Sequence, residues 1–275
     1  MLYICPTPIG NLKDITLRVL DVLAQVDVIA CEDTRHTKIL LARYGVSARL
    51  VSFHGHNEEQ RLQALLPLLR EGKAVAVVSD AGMPGLSDPG FTLVRACASE
   101  GIPVTVLPGP SAVSTALVLS GLPADRFAFV GFLERGRSKL IQQLMRFEGT
   151  GAALVAFDSP RRIRASLAAI AERWPERAVV VCRELTKIHE EAIRGTAAEV
   201  AGRLGEPVKG EIVLVLSPEG EPEGMPAGAL EDRAREVLAE LTLQGMATKQ
   251  AASVVARLTA VPARTAYQWA LESKK

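Results

Sequence analysis

Short apolar runs alternate along most of the chain with stretches whose apolar residues recur every three to four positions, the pattern of parallel βαβ units. The first runs predict strands over Leu2–Cys5, Val28–Cys31, Leu50–Phe53, Ala74–Ser79 and Val104–Leu107. Between them lie helical patterns marked by Ile15, Val19, Leu20 and Leu23, by Ile39, Leu40 and Leu41, by Leu62, Leu65, Leu66 and Leu69, and by Leu93, Val94 and Cys97. Gly45, Gly72 and Gly101 follow three of these helices, where a left-handed C-terminal residue is expected. This gives an N-terminal α/β domain over residues 1–122. A second α/β domain, 123–217, is predicted from strands at Phe127–Phe132, Ala153–Phe157, Ala178–Arg183, Glu190–Arg194 and Glu211–Leu216, with a basic helix after the first and a helix through Leu167 and Ile170 after the second. Proline and glycine make up half of Ser217–Gly228, which marks 218–228 as a linker. Residues 229–275 then read as a small helical domain. Its first helix is Ala229–Leu243, and Thr248 is a cap candidate for a second running to Leu258. Pro262 suits a first helical turn, and the join at Thr259-Ala260-Val261 resembles a helix-turn-helix.

At 275 residues, with 48% hydrophobic and 23% charged content, the chain is globular rather than disordered or fibrous. No apolar run approaches the roughly 18 to 20 residues of a membrane span, and Met1 leads straight into a strand pattern with no leader, so a cytoplasmic protein is expected. Cys5, Cys31, Cys97 and Cys182 lie far apart in apolar stretches, which predicts buried free thiols and neither a metal site nor a disulfide framework. A net charge of +1 gives no global field for nucleic acid. From Arg126 to Arg164, however, eight basic residues face only Glu134, Glu148 and Asp158, a basic strip. The tail is close to balanced in charge, so a packing or dimerisation bundle and an RNA contact are equally open for it.

Polar groups gather at the carboxyl ends of the predicted strands, where open α/β sheets bind ligands. The first strand ends in Pro6-Thr7-Pro8-Ile9-Gly10-Asn11-Leu12, a turn that is neither GxGxxG nor a Walker loop. The second ends in Glu32-Asp33-Thr34-Arg35-His36, of which Asp33 or Thr34 would cap the following helix; His54 and His56 follow the third. The fourth leads into Ser79–Gly90, whose three glycines, two prolines, Asp80 and Asp88 make a stiff surface of exposed amides suited to a nucleoside-bearing ligand. The fifth ends in Pro108-Gly109-Pro110-Ser111-Ala112, where Ser111 is a cap candidate and the helix N-terminus suits a carboxylate.

These segments, with His56–Glu59, Arg183–Glu191 and Val208–Glu211, resemble the tetrapyrrole-methylase superfamily collinearly from Met1 to about Leu216. Within it they are similar to the branch that 2′-O-methylates a cytidine in the decoding region of bacterial small-subunit ribosomal RNA. The resemblance implies a two-domain α/β fold with a helix-turn-helix-like tail, S-adenosylmethionine in the cleft, and a homodimer. The implied partner is small-subunit rRNA or the assembled small subunit. Carried over residue by residue, it places the cofactor against Pro8, Asp80, Met83, Leu86, Ser87, Ser111, Ala112, Phe157 and Gly210, the last within the segment Lys209-Gly210-Glu211. Candidates for the base or for a cation facing the attacking oxygen are Glu32, Asp33, Glu184, Lys187, His189 and Lys209; candidates for RNA contact are Arg35, Arg135, Arg137, Arg161 and Arg162. Gly131–Gly136 and Asp158–Arg162 depart from the branch's GFLPRK and ESPHR; both keep arginines at the rim, but no histidine role transfers to Arg161. A porphyrinoid C-methyltransferase and a non-enzymatic RNA-binding assembly factor are the competing readings.

Overall fold

The computed structural model describes residues 1–55, 57–219, 235, 237–242, 246–258 and 263–272. It forms two compact units, Met1–Gly220 and Glu221–Lys275.

The first unit holds two sheets of five strands each. In the first, β1 (Leu2–Ile4), β2 (Val28–Cys31), β3 (Leu50–Ser52), β4 (Val75–Val78) and β5 (Val104–Val106) lie in the order β3-β2-β4-β1-β5, every pairing parallel. Alternate residues of one run feed two cores, so a continuous apolar stretch is needed. Leu2, Val28, Ala30, Val75 and Val77 face α3 (Glu58–Arg70) and α4 (Phe91–Ser99), whereas Ile29, Cys31, Ala76 and Val78 face α1 (Leu17–Gln25) and α2 (Thr34–Arg43). Gly45, Gly72 and Gly101 all have φ between +67° and +81°, the conformation their positions predict.

The second sheet has the order β6-β7-β10-β8-β9, from β6 (Phe127–Phe132), β7 (Ala153–Asp158), β8 (Ala178–Arg183), β9 (Glu191–Thr196) and β10 (Ile212–Leu216). Only β6 and β7 run parallel; β10 lies antiparallel between β7 and β8, and β8 is antiparallel to β9. The uniform βαβ expectation therefore holds for the first sheet and not for this one. The run Ile212–Leu216 reads the same in either direction, so periodicity carries no sign of strand orientation. One face is covered by α6 (Arg137–Met145), α7 (Ile163–Arg173) and α8 (Ala197–Arg203). The other is covered by α5 (Ala112–Ser120), through Val113, Ala116 and Leu117, and by Ile9 from the turn after β1. Although α5 directly follows β5 of the first sheet, it packs on the second; Arg194 of β9 donates to the carbonyls of Ser120 and Leu119 at its C-terminal end. The four cysteines are buried free thiols.

In the second unit, α9 (Thr248–Leu258) and α10 (Ala263–Glu272) pack through Ala251, Ala252, Val255, Ala266 and Ala270, joined by Leu238. Residues 237–242 are helical, within the expected first helix. Thr248 is the first helical residue rather than the one preceding it. The linker from Gly220 onward, the turn Thr259-Ala260-Val261 and Pro262 lie outside the described residues, as does His56. Among the described residues no helix is long and apolar enough to cross a membrane.

Candidate active site

The turns after β1 and β4 are stitched together beneath the cleft between the two sheets. Thr7 and Gly82 exchange backbone hydrogen bonds at 2.9 and 3.0 Å, and the Thr7 hydroxyl donates to the Ser79 carbonyl at 2.9 Å. Gly82 sits at φ +81°, a conformation that favours glycine, although a Cβ there would only touch Ile9 Cγ2 at an ordinary 3.4 Å. Ser87 holds φ +64° without being glycine, a costly conformation that tends to gather at functional sites.

Two cavities adjoin over this floor. One, of about 240 Å³, has apolar walls from Met83, Leu86, Phe132, Phe157 and Val213 and polar groups from Ser87, Asp88 and Ser111. The other, of about 230 Å³, is lined by Pro8, Gly10, His36, Ile39, Asp80 and Lys187. Ile9, Ala81 and Glu211 border both. A shallower hollow of about 460 Å³ is formed by Phe132, Leu133, Glu134, Arg135, Lys139 and Arg162, so Phe132 is common to it and the first cavity.

Of the residues expected at the cofactor, Met83, Leu86, Ser87, Ser111, Ala112 and Phe157 surround the first cavity, whereas Pro8 and Asp80 line the second. Ser111 occupies the cap position of α5, but its side chain makes no capping bond. Gly210 touches neither cavity. Its φ is +88°, and a Cβ there would run into the Glu184 carboxylate.

The acidic candidates divide by environment. Asp33 caps α2, accepting from the Arg35 amide at 2.8 Å, and pairs with the Arg35 guanidinium at 2.7 Å. That guanidinium, with the Arg35 amide, holds the Asp33 carboxyl well below the usual range. The Asp33 amide in turn donates to Asp80 at 3.1 Å, and His36 Nδ1 stands 3.8 Å from the same oxygen. Burial, reinforced by Asp80, raises Glu32. Burial and the Glu32 charge push Asp88 up to about 6.

The loop after β8 crosses to the turn after β1. The Asn11 amide donates to the Thr186 hydroxyl at 3.1 Å, and a Cβ on Gly10 would strike Lys187, Leu185 and Thr186 within 2.8 Å. Lys187 Nζ bridges Glu184 at 2.9 Å and Glu211 at 3.0 Å. Burial opposes the Lys187 charge, yet the two carboxylates hold its pKa above the ordinary value. Glu184 is lowered by Lys187 and by the Glu211 amide. Lys209 and His189 are exposed and line neither cavity; the Lys209 carbonyl accepts from Arg183.

The candidate RNA-binding arginines also divide. Arg162 turns inward, donating to the Leu133 and Glu134 carbonyls and standing 3.3 Å from the fully buried Asp158 side chain, so its work is structural as well as peripheral. Arg137 pairs with Glu172 and Arg35 with Asp33. Arg135 lines the shallow hollow, and Arg161, which precedes Arg162, is exposed and does not line it. Sequence reasoning missed Ile9, Phe132 and Lys139. Phe132 and Lys139 carry a signal in being an apolar strand end and a basic helix start within the basic strip. Glu211, expected at the cofactor together with Lys209 and Gly210, borders both cavities.

A family profile described as Tetrapyrrole (Corrin/Porphyrin) Methylases matches residues 1–201, and one described as RsmI C-terminal HTH domain matches residues 228–274. The chain is 46% identical over 219 residues to the ribosomal RNA small subunit methyltransferase I of Thermotoga maritima, spanning 78% of this chain and 97% of that one. It is 44% identical over 278 residues to the protein of the same name from Escherichia coli O157:H7, spanning 99% and 95%. Among solved structures it is similar to the uroporphyrin-III C-methyltransferase of Thermus thermophilus complexed with S-adenyl homocysteine, with a TM-score of 0.54 at 20% identity, covering 78% of this chain and 96% of that one.

Proposed function

Because the chain belongs to the tetrapyrrole (corrin/porphyrin) methylase family, and near its full length to the ribosomal RNA small subunit methyltransferase I relatives within it, we propose that it methylates a ribose 2′-hydroxyl of small-subunit rRNA, on a cytidine of the decoding region. The observation that carries the reading is the pair of adjoining cavities with Ile9, Ala81 and Glu211 as their common border. A methyl transfer needs donor and acceptor on either side of one boundary, with the reacting atoms about 3 Å apart.

The first cavity fits S-adenosylmethionine. Its apolar walls suit the adenine, Ser87 and Asp88 suit the polar groups, and the N-terminal turn of α5, which Ser111 leaves without a side-chain cap, suits the carboxylate. When bound, the cofactor supplies an activated methyl group. The second cavity then takes the extruded nucleoside. Arg135 and Lys139 contact flanking phosphates, and Phe132, 59% exposed, offers a stacking surface for a neighbouring base. The protein works as a homodimer in the cytoplasm, where small subunits are assembled.

Purified protein incubated with methyl-labelled S-adenosylmethionine and, separately, naked rRNA, assembled small subunits and uroporphyrinogen tests the reading. Label on a cytidine ribose of the subunits is expected. Label on the macrocycle, or on no substrate, overturns it.

A further inference from the structure

We propose that Glu211 is the proton acceptor of the transfer, and that Glu184 is a positioning residue that fixes it by way of Lys187. The proposal rests on the reading of the two cavities as cofactor and nucleoside sites. Glu211 is the only ionisable group among the described residues that borders both cavities. Asp88 lines the cofactor side alone, and Asp80 and His36 the other side alone, with Asp80 already engaged by the Asp33 amide. One oxygen of Glu184 accepts from both the Lys187 ammonium, at 2.9 Å, and the Glu211 amide, at 3.1 Å, while Lys187 reaches the Glu211 carboxylate at 3.0 Å. Backbone and side chain of Glu211 are thus held from one point. Its side chain is 68% exposed against 30% and 23% for Lys187 and Glu184, so it is the carboxylate that faces the open space.

The backbone gives a second, independent sign. Glu184 and Thr186 both hold left-handed conformations, φ +51° and +66°, without being glycine. Such residues persist where their surroundings over-determine them, and here Gly10 and Gly210 are the two positions that leave room for the loop. The groups that face Glu211 are Lys187, Glu184 and Arg183 around the loop after β8, Asp88 across the cofactor cavity, and Asp80 and His36 across the other.

In the transfer, a lone pair of the ribose oxygen forms the new O–C bond as the C–S bond breaks, its pair returning to sulfur, which becomes a thioether. The hydroxyl proton passes to Glu211. Lys187 stays protonated throughout and stabilises the charge that builds on the oxygen.

The test uses the full-length protein with assembled small subunits. For Glu211→Gln, kcat should fall about 10²- to 10⁴-fold, the usual worth of a general base, and the acidic limb of the kcat–pH profile should vanish. KM and the calorimetric affinity for S-adenosylmethionine should stay within threefold. Glu211→Asp should recover part of the rate. Glu184→Gln should lower kcat about tenfold and keep the acidic limb. In ¹³C-lysine spectra the Lys187 titration should move down in Glu211→Gln, a readout independent of turnover. A Glu211→Gln enzyme within threefold of the wild-type kcat, with an unchanged acidic limb, or without cofactor affinity would overturn the proposal alone. Wild-type protein that leaves every ribose unmethylated would overturn the functional reading and this proposal with it.

Discussion

The carboxylate of Glu184 stands where a Cβ on Gly210 would have to be. Gly210→Ala therefore meets two obstacles at once, a collision and a left-handed φ of +88°. Left-handed strain alone costs roughly 1 to 2 kcal/mol. The expected result is a lower Tm by calorimetry, together with at least a tenfold loss of kcat as Glu184 is displaced from Lys187.

Arg135 and Arg137 are two residues apart but differ in what they face, the shallow hollow in one case and Glu172 in the other. Removing a cation that neutralises one phosphate should reduce the log–log salt slope of RNA binding by about 0.7 to 0.9. Arg135→Glu and Lys139→Glu should each show that reduction, and Arg137→Gln should show less. Equal slopes for all three variants would place the RNA elsewhere. Cofactor affinity should not change in any of them.

Arg162 ties the end of β6 to the buried Asp158, which also accepts from Ser166 at 2.6 Å. Arg162→Ala leaves two carbonyls and a carboxylate short of a donor, a loss of about 1 to 3 kcal/mol. Denaturant unfolding should report it. A change in RNA affinity without a change in stability would instead make Arg162 a direct contact.

Asp88 carries a pH signature. Its folded pKa of about 6 lies above the ordinary carboxylate value, because burial and Glu32 disfavour the charge. The protonated form is the one the fold tolerates, so this contribution to stability is complete below about pH 4 and is lost as pH rises through 6. Discounted for partial exposure, about 1 to 2 kcal/mol is involved. A cationic ligand in the same cavity prefers the ionised form. Affinity for S-adenosylmethionine should tighten as pH rises from about 5 to about 7 in the wild type, and stay flat in Asp88→Asn; parallel curves in calorimetric titrations would refute this.

Strands of the first sheet could be read from the sequence to within a residue at each end, because Leu2–Ile4, Val28–Cys31 and Val75–Val78 are apolar on both faces and are stopped by proline, glycine or a charge. The loop Ser79–Gly90 was legible because it has too many glycines and prolines for a regular element. What escaped were properties of partners rather than of residues. Arg137 and Arg162 carry the same charge as Arg135 in a sequence, and only Glu172 and Asp158 distinguish them. Glu211 acquires its position from Lys187, 24 residues earlier. The antiparallel insertion of β10 between β7 and β8 was hidden because a five-residue apolar strand has no reading direction.

The placement of α5 has a consequence for synthesis. When the ribosome has released Gly121, the first sheet is complete, but the apolar face of α5 awaits strands that end only at Leu216. A nascent chain at that stage carries an uncovered helix bearing Val113, Ala116 and Leu117, and a fragment truncated there would carry it permanently. The two sheets are thus poor candidates for separate expression or for recombination as modules. The same helix that closes the second core contributes Ser111 and Ala112 to the cavity, so the cleft cannot exist before the last strand has been threaded into its sheet.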